Sequence, residues 1–331
     1  MAAKKRANKK SSARGQKKQR TRGMSRLSQL AFLLLVAMGA CSAAYHFGSF
    51  TVRTQMEQIA LQSISAARSP DWLPRPLTRL LNAAYDQIPG SEGLVVEGGE
   101  IGHEDSPFIA GLPESTLPIR ILRNQSYSNI FDPKKRLTTC IALQLSSDDS
   151  GSASTPSNYF EDTRIKSLRA VDMQLGQWLP QPIAPAEALA KSYGEVGANE
   201  AHLTTNLAPM SEAFYNGIWQ QLIYEITVTY PSRFNQTWIY LGPVIEQQSS
   251  AKLSSGIPIP NSFYAIVFDL TEIGGLRAIA FLLPQDQPSV KLSDCITSIA
   301  QIEQQTGLRF LSDVDYHARE VLGTYISPQL W

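Results

Sequence analysis

Residue types that can perform acid–base or metal chemistry fall close together in one stretch of this sequence. A histidine can take a proton from water, and the oxygens of asparagine and glutamate can hold a divalent cation. His202 is a candidate catalytic base, the alternative being a structural or surface histidine. Asn206, Asn216 and Glu225 are candidate metal ligands, although their spacing matches no established ligand pattern. Glu225 is alternatively a solvated helix residue.

The elements that would position these residues are strands and helices in mixed order. Residues 212–230 have the pattern of a helix running into a strand, and 292–305 that of a helix that Gly307 caps. Strand-like segments lie at 93–97, 118–123, 137–145, 237–241, 263–270 and 276–283, and residues along 137–145 alternate in the manner of a strand. With no internal repeat, a single α+β domain over roughly 90–327 is the simplest interpretation.

Four segments of the domain together carry a resemblance to one known family. They are Ile183-Ala184-Pro185, NLAPMSEAFYNGIW at 206–219, IPIPNSF at 257–263 and IEQQTGLRF at 302–310. In this order they resemble the DNA/RNA non-specific endonucleases, the endonuclease G-like ββα-metal nucleases. The resemblance implies a central antiparallel sheet flanked by helices. It also implies a histidine base and a magnesium ion held mainly by an asparagine.

The catalytic residues of that family are replaced in this sequence. Alignment on Ile183-Ala184-Pro185 puts Leu179-Pro180-Gln181-Pro182 where the family has Asp-Arg-Gly-His, so that Pro182 stands at the base position. Alignment on Gly217 and Trp219 puts Tyr215 at the position of the metal-binding asparagine. Further replacements are Ile223 for a supporting glutamate and Met210 for a glutamine, while Asn206 is kept.

These replacements predict a pseudoenzyme that serves as a binding or structural module, with no cofactor. The alternative is a divergent metal-dependent nuclease or phosphodiesterase that cleaves DNA or RNA with Mg²⁺ and takes its base from elsewhere, for example from His202.

The N-terminal part of the chain has the pattern of a membrane anchor. Residues 1–26 contain eleven Lys or Arg residues and no acidic residue, and an uncharged apolar run lies within 27–50. We predict a disordered basic cytoplasmic tail (1–26), a transmembrane signal anchor that contacts lipid (27–50), a helical stalk (51–89) and an exported domain. A cleaved signal peptide, a lipoprotein signal at Cys41 and an organelle presequence are the alternatives.

Charge and cysteine content bear on partners and compartment. Of the 30 basic residues, 19 remain after residue 26, against 29 acidic ones, so the remainder carries a net charge of −10. That acidity argues against nucleic acid and favours a protein partner on the former substrate face. Cys140 and Cys295 predict one disulfide in an oxidising compartment, the alternative being two buried free thiols.

Overall fold

A computed structural model describes residues 107–116, 118–147, 151–246, 251–271 and 275–331 of the protein. The predicted tail (1–26), anchor (27–50), stalk (51–89) and strand at 93–97 lie outside the described residues. Within the described residues, no helix combines the length and the apolar character that crossing a membrane requires.

The domain is built on a seven-stranded antiparallel sheet. The described strands are β1 Glu114–Ser115, β2 Arg120–Arg123, β3 Ser128–Asp132, β4 Leu137–Ser146, β5 Trp178–Pro182, β6 Leu207–Ser211, β7 Gln236–Val244, β8 Ser262–Leu270, β9 Leu276–Pro284, β10 Ile296–Thr297 and β11 Leu308–Arg309. The large sheet has the order β10-β9-β8-β7-β4-β3-β2, and β1 with β11 and β5 with β6 form separate two-stranded ribbons. The predicted α+β class and central antiparallel sheet are therefore confirmed.

The helices include one long composite helix. It comprises α2 Glu212–Phe214, a π-helical segment Tyr215–Trp219, α3 Gln220–Tyr224, a second π-helical segment Glu225–Thr229 and α4 Tyr230–Phe234. We call this stretch, 212–234, the composite helix. The other helices are α1 Ala186–Ala201, α5 Ile299–Thr306 and α6 Tyr316–Thr324, and short 3₁₀ segments occupy Ala170–Met173, Thr204–Asn206 and Leu292–Cys295. Gly307 ends α5 in the left-handed conformation with φ 72°, as the sequence predicts.

Each face of the large sheet is covered by its own apolar core. Because side chains alternate along a strand, Ile239 and Leu241 of β7 enter the first core, whereas Trp238 and Tyr240 enter the second. The composite helix, through residues such as Trp219, packs in the first core. Helices α5 and α6 pack in the second core.

The two cysteines lie in different cores, so the predicted disulfide is wrong. Cys140 points from β4 into the second core, whereas Cys295 ends the 3₁₀ segment Leu292–Cys295 and belongs to the first. Both are free and buried. Burial raises the pKa of the Cys140 thiol to about 12 and that of Cys295 to about 11, so both stay protonated at neutral pH. The alternative interpretation, two buried thiols, is the one that holds.

Candidate functional site

A strand–strand–helix unit fixes the backbone of the predicted catalytic positions. Strands β5 and β6 pair in antiparallel fashion, with Pro182 opposite Leu207 at one end and Trp178 opposite Ser211 at the other. The composite helix starts immediately after Ser211, whose Oγ accepts a hydrogen bond from the backbone N–H of Phe214 at 3.3 Å. This cap satisfies one of the donors that a first helical turn leaves unpaired. The paired strands β5 and β6 and the helix that follows β6 form a ββα arrangement, with α1 inserted between the two strands.

The base position of this unit contains no group that can titrate. Pro182 is half-buried at the end of β5, and its ring nitrogen has no hydrogen. The preceding residues of the strand are a leucine, a proline and a glutamine. Residues 179–182 therefore offer no side chain that can take a proton from water.

Two partly buried tyrosines occupy the neighbourhood of the expected metal position. The hydroxyl of Tyr159 donates a hydrogen bond to the carbonyl oxygen of Pro180 at 3.1 Å. Burial raises the pKa of Tyr159, and the nearby Tyr215 raises it further. Burial also raises the pKa of Tyr215, against the opposing effect of a hydrogen bond with Gln220. Both phenols stay protonated at neutral pH, so they donate hydrogen bonds and supply no negative charge.

His202 lies against this tyrosine pair. It ends α1, and its ring stacks on Tyr159 with the ring centroids 5.7 Å apart. Its Nδ1 is 2.8 Å from the carbonyl oxygen of Ala198. Because a carbonyl only accepts hydrogen bonds, Nδ1 carries a proton, and Nε2 is the nitrogen that could act as a base. Of the other histidines, His317 is exposed in α6, and His46 and His103 lie outside the described residues.

Asn206, the residue kept from the family motif, is fully buried and bonded to backbone groups. Its Oδ1 accepts a hydrogen bond from the N–H of Ala184 at 2.8 Å. Its Nδ2 donates to the carbonyl oxygens of Ala184 at 3.2 Å and Ala201 at 2.7 Å. The carboxamide thus joins the turn after β5 to the end of α1.

The remaining positions range from exposed to fully buried. Asn216 is exposed, and Glu225 is half-buried in the second π-helical segment. Ile223 packs against the first core, and Met210 is fully buried in it. Among the described residues, no group of three or more His, Cys, Asp or Glu side chains could hold a metal ion.

Magnesium is the cofactor that the family chemistry implies, and the residues at the expected positions do not fit it. Mg²⁺ prefers several oxygen ligands in octahedral geometry, usually including a carboxylate. Here the positions hold a proline and a protonated phenol, and the Asn206 oxygen already accepts a backbone hydrogen bond.

A cleft that the sequence analysis did not predict opens beside the start of the composite helix. Its volume is about 1130 Å³, and it is lined by residues that include Trp178, Asn216, Glu246, Pro260 and Asp286. Gln285 builds its wall by accepting a hydrogen bond from the Ser211 N–H at 2.7 Å and donating one to the Pro260 oxygen at 2.6 Å. The only sequence signal was a polar residue after a proline, at Pro260-Asn261 and Pro284-Gln285.

Comparison with known proteins finds one family whose sequence model matches part of this chain. The sequence model of the DNA/RNA non-specific endonuclease family matches residues 183–317, a range that starts after the base position and includes β6 and the whole composite helix. No curated protein matches the chain.

Proposed function

We propose that the domain is a catalytically inactive member of the DNA/RNA non-specific endonuclease family, whose sequence model matches residues 183–317, and that it works as a binding or structural module. The observation that carries the proposal is the pair of replacements in the ββα unit. Pro182 cannot act as a base, and Tyr215 presents a protonated phenol where a metal ligand is expected.

The packing around these positions supports the same proposal. Tyr159 hydrogen-bonds to β5 and stacks on His202, and both side chains are half-buried. Asn206 makes three hydrogen bonds to the backbone. The family's catalytic positions are therefore used here to hold the domain together.

We also propose that the domain is exported and anchored to a membrane through residues 27–50. The support is the uncharged apolar run in that segment and the eleven cations that precede it, which the positive-inside rule places in the cytoplasm. Protease treatment of intact cells or spheroplasts tests this topology. Digestion of the domain but not of the tail is expected, and a protected domain contradicts it.

A nuclease assay tests catalytic inactivity. The full chain in mild detergent is incubated with single-stranded and duplex DNA and with RNA, in magnesium, in manganese and in chelator. An active family member serves as the positive control. No cleavage above the chelator background is expected, whereas cleavage that depends on the metal contradicts the proposal.

One observation favours the divergent-nuclease alternative. The ring of His202, which carries Nε2, stacks on Tyr159 beside the positions that the family uses for catalysis. His202→Ala is the test variant, and His317→Ala, at an exposed position in α6, is the matched control. Cleavage that is lost only in His202→Ala would establish a relocated base and an enzyme.

A further inference from the structure

The cations of this acidic domain concentrate around one edge of the large sheet. Eight of the 15 Lys and Arg residues that the structure describes lie on β2, on the turn between β3 and β4, and on the loop that precedes β5. We call these eight residues the basic face: Arg120, Arg123, Lys134, Lys135, Arg136, Arg164, Lys166 and Arg169. All of them are exposed or half-buried.

Hydrogen bonds show that one end of the basic face is continuous in space. Arg120 Nη1 donates to the Arg164 carbonyl oxygen at 3.2 Å, and Arg164 Nη1 donates to that of Arg123 at 2.9 Å. Thus β2, an edge strand of the sheet, and the loop at 164–169 present their cations side by side.

The other end is held by Arg136, whose guanidinium donates to the Ser167 carbonyl oxygen at 2.5 Å and pairs with Asp172 at 2.9 Å. Asp172 also pairs with Arg169 at 3.4 Å. Strand pairing places Arg120 opposite Phe131, next to the turn that carries the two lysines. The eight cations therefore form one surface.

The basic face keeps a net positive charge after its acidic neighbours are counted. Five carboxylates lie in or beside it, those of Asp132, Glu161, Asp162, Asp172 and Glu200. Eight cations against five carboxylates leave three positive charges on the basic face. Residues 27–331 together carry a net charge of −10. In the field of an anionic surface this asymmetry orients the domain with the basic face inward.

Exposed aliphatic side chains lie among these cations. Ile121, between Arg120 and Arg123 in the sequence, is 38% exposed, and Val171, two residues after Arg169, is 59% exposed. Phe160, which directly precedes Glu161, is 43% exposed and adds an apolar ring to these aliphatic side chains. Cations mixed with exposed apolar side chains suit the headgroup and acyl boundary of a bilayer. We propose that the basic face docks on the anionic headgroups of a lipid bilayer.

This proposal goes beyond the loss of catalysis and stands on the domain's own side chains. It is tested with the full chain reconstituted into vesicles of phosphatidylcholine, alone or mixed with phosphatidylglycerol. A polarity-sensitive thiol dye is placed on Val171→Cys or on the control Ser293→Cys, an exposed position beside β10 at the opposite sheet edge. In a Cys41→Ala background the buried Cys140 and Cys295 stay unlabelled in the native protein.

The emission of the dye at position 171 is expected to shift to shorter wavelength in vesicles that contain phosphatidylglycerol. High salt is expected to abolish that shift. The dye at position 293 is expected to show no shift. Lys166→Glu removes one cation and adds one anion, which weakens docking roughly 30-fold. Its matched control is Lys291→Glu, a reversal at an exposed lysine outside the basic face, and any contribution of the basic tail is the same in both.

Three results would each overturn the proposal. The first is a shift of equal size at positions 171 and 293, or one independent of phosphatidylglycerol. The second is an equal effect of Lys166→Glu and Lys291→Glu. The third is a dye shift caused by a short single-stranded oligonucleotide in phosphatidylcholine vesicles and abolished by Lys166→Glu, which would assign the basic face to nucleic acid.

Discussion

Asn206→Ala tests whether this asparagine, which the sequence keeps from the family's motif, has a structural role. The side chain has no exposed surface, and its carboxamide makes three hydrogen bonds to the backbone of Ala184 and Ala201. Each buried hydrogen bond of this kind contributes roughly 1 kcal/mol, so their joint loss lowers the free energy of unfolding by about 3 kcal/mol. In a domain of this size that corresponds to a fall in Tm of roughly 9 °C.

Unfolding by urea and by heat is followed through the fluorescence of the buried Trp219 and Trp238, with the full chain in mild detergent. Asn216→Ala is the matched control, because Asn216 is exposed and its removal should change stability by less than about 0.5 kcal/mol. Magnesium should leave the Tm of both variants and of the wild type unchanged. A loss below about 1 kcal/mol in Asn206→Ala, or a Tm that rises with magnesium only when Asn206 is present, would refute the structural assignment.

Three further predictions concern packing, thiols and pH. Trp331→Ala removes a ring that contacts Tyr230 and should cost about 2 kcal/mol in urea unfolding, whereas a cost near zero would mean that the contact is not stabilising. Cys140 and Cys295 should react with a thiol reagent only after unfolding, and reducing agent should leave Tm unchanged; a Tm that falls on reduction would contradict free thiols. Burial alone would raise the pKa of Asp162, but its hydrogen bonds with Arg164 and Thr205 hold that pKa below its ordinary value. Its contribution to stability is therefore complete above the ordinary pKa of about 4 and is lost as the pH falls through the lower folded value. Asp162→Asn should accordingly lose less stability between neutral pH and about pH 3 than the wild type, and an equal loss in both would be evidence against this.

Much of the fold could be predicted because its signals are local. Alternation along 137–145 and the apolar segment 263–270 predicted strands β4 and β8, and Gly307 marked the end of α5. The end of the predicted helix at 292–305 was correct, but its start was wrong. Residues Leu292–Cys295 form a 3₁₀ segment and Ile296–Thr297 form β10, because pairing with β9 takes the backbone that a continuous helix would use.

The sequence by itself determined what stands at the catalytic positions. A proline at 182 cannot titrate and a tyrosine at 215 offers no amide oxygen wherever the fold places them, and the proposed loss of the base and of the metal ligand rests on the positions that the family resemblance gives to these two residues.

Only the tertiary structure decided which residues meet. The alternation of side chains on β4 is visible in the sequence. The sequence does not show that Cys140 faces one core whereas Cys295, far along the chain, belongs to the other. The three backbone atoms that bond to Asn206, and the neighbours of Arg164, likewise belong to other segments of the chain that the fold brings close. The physical reason is that turns, caps and strand patterns depend on neighbouring residues, whereas contacts between distant segments depend on how the whole sheet and its two cores assemble.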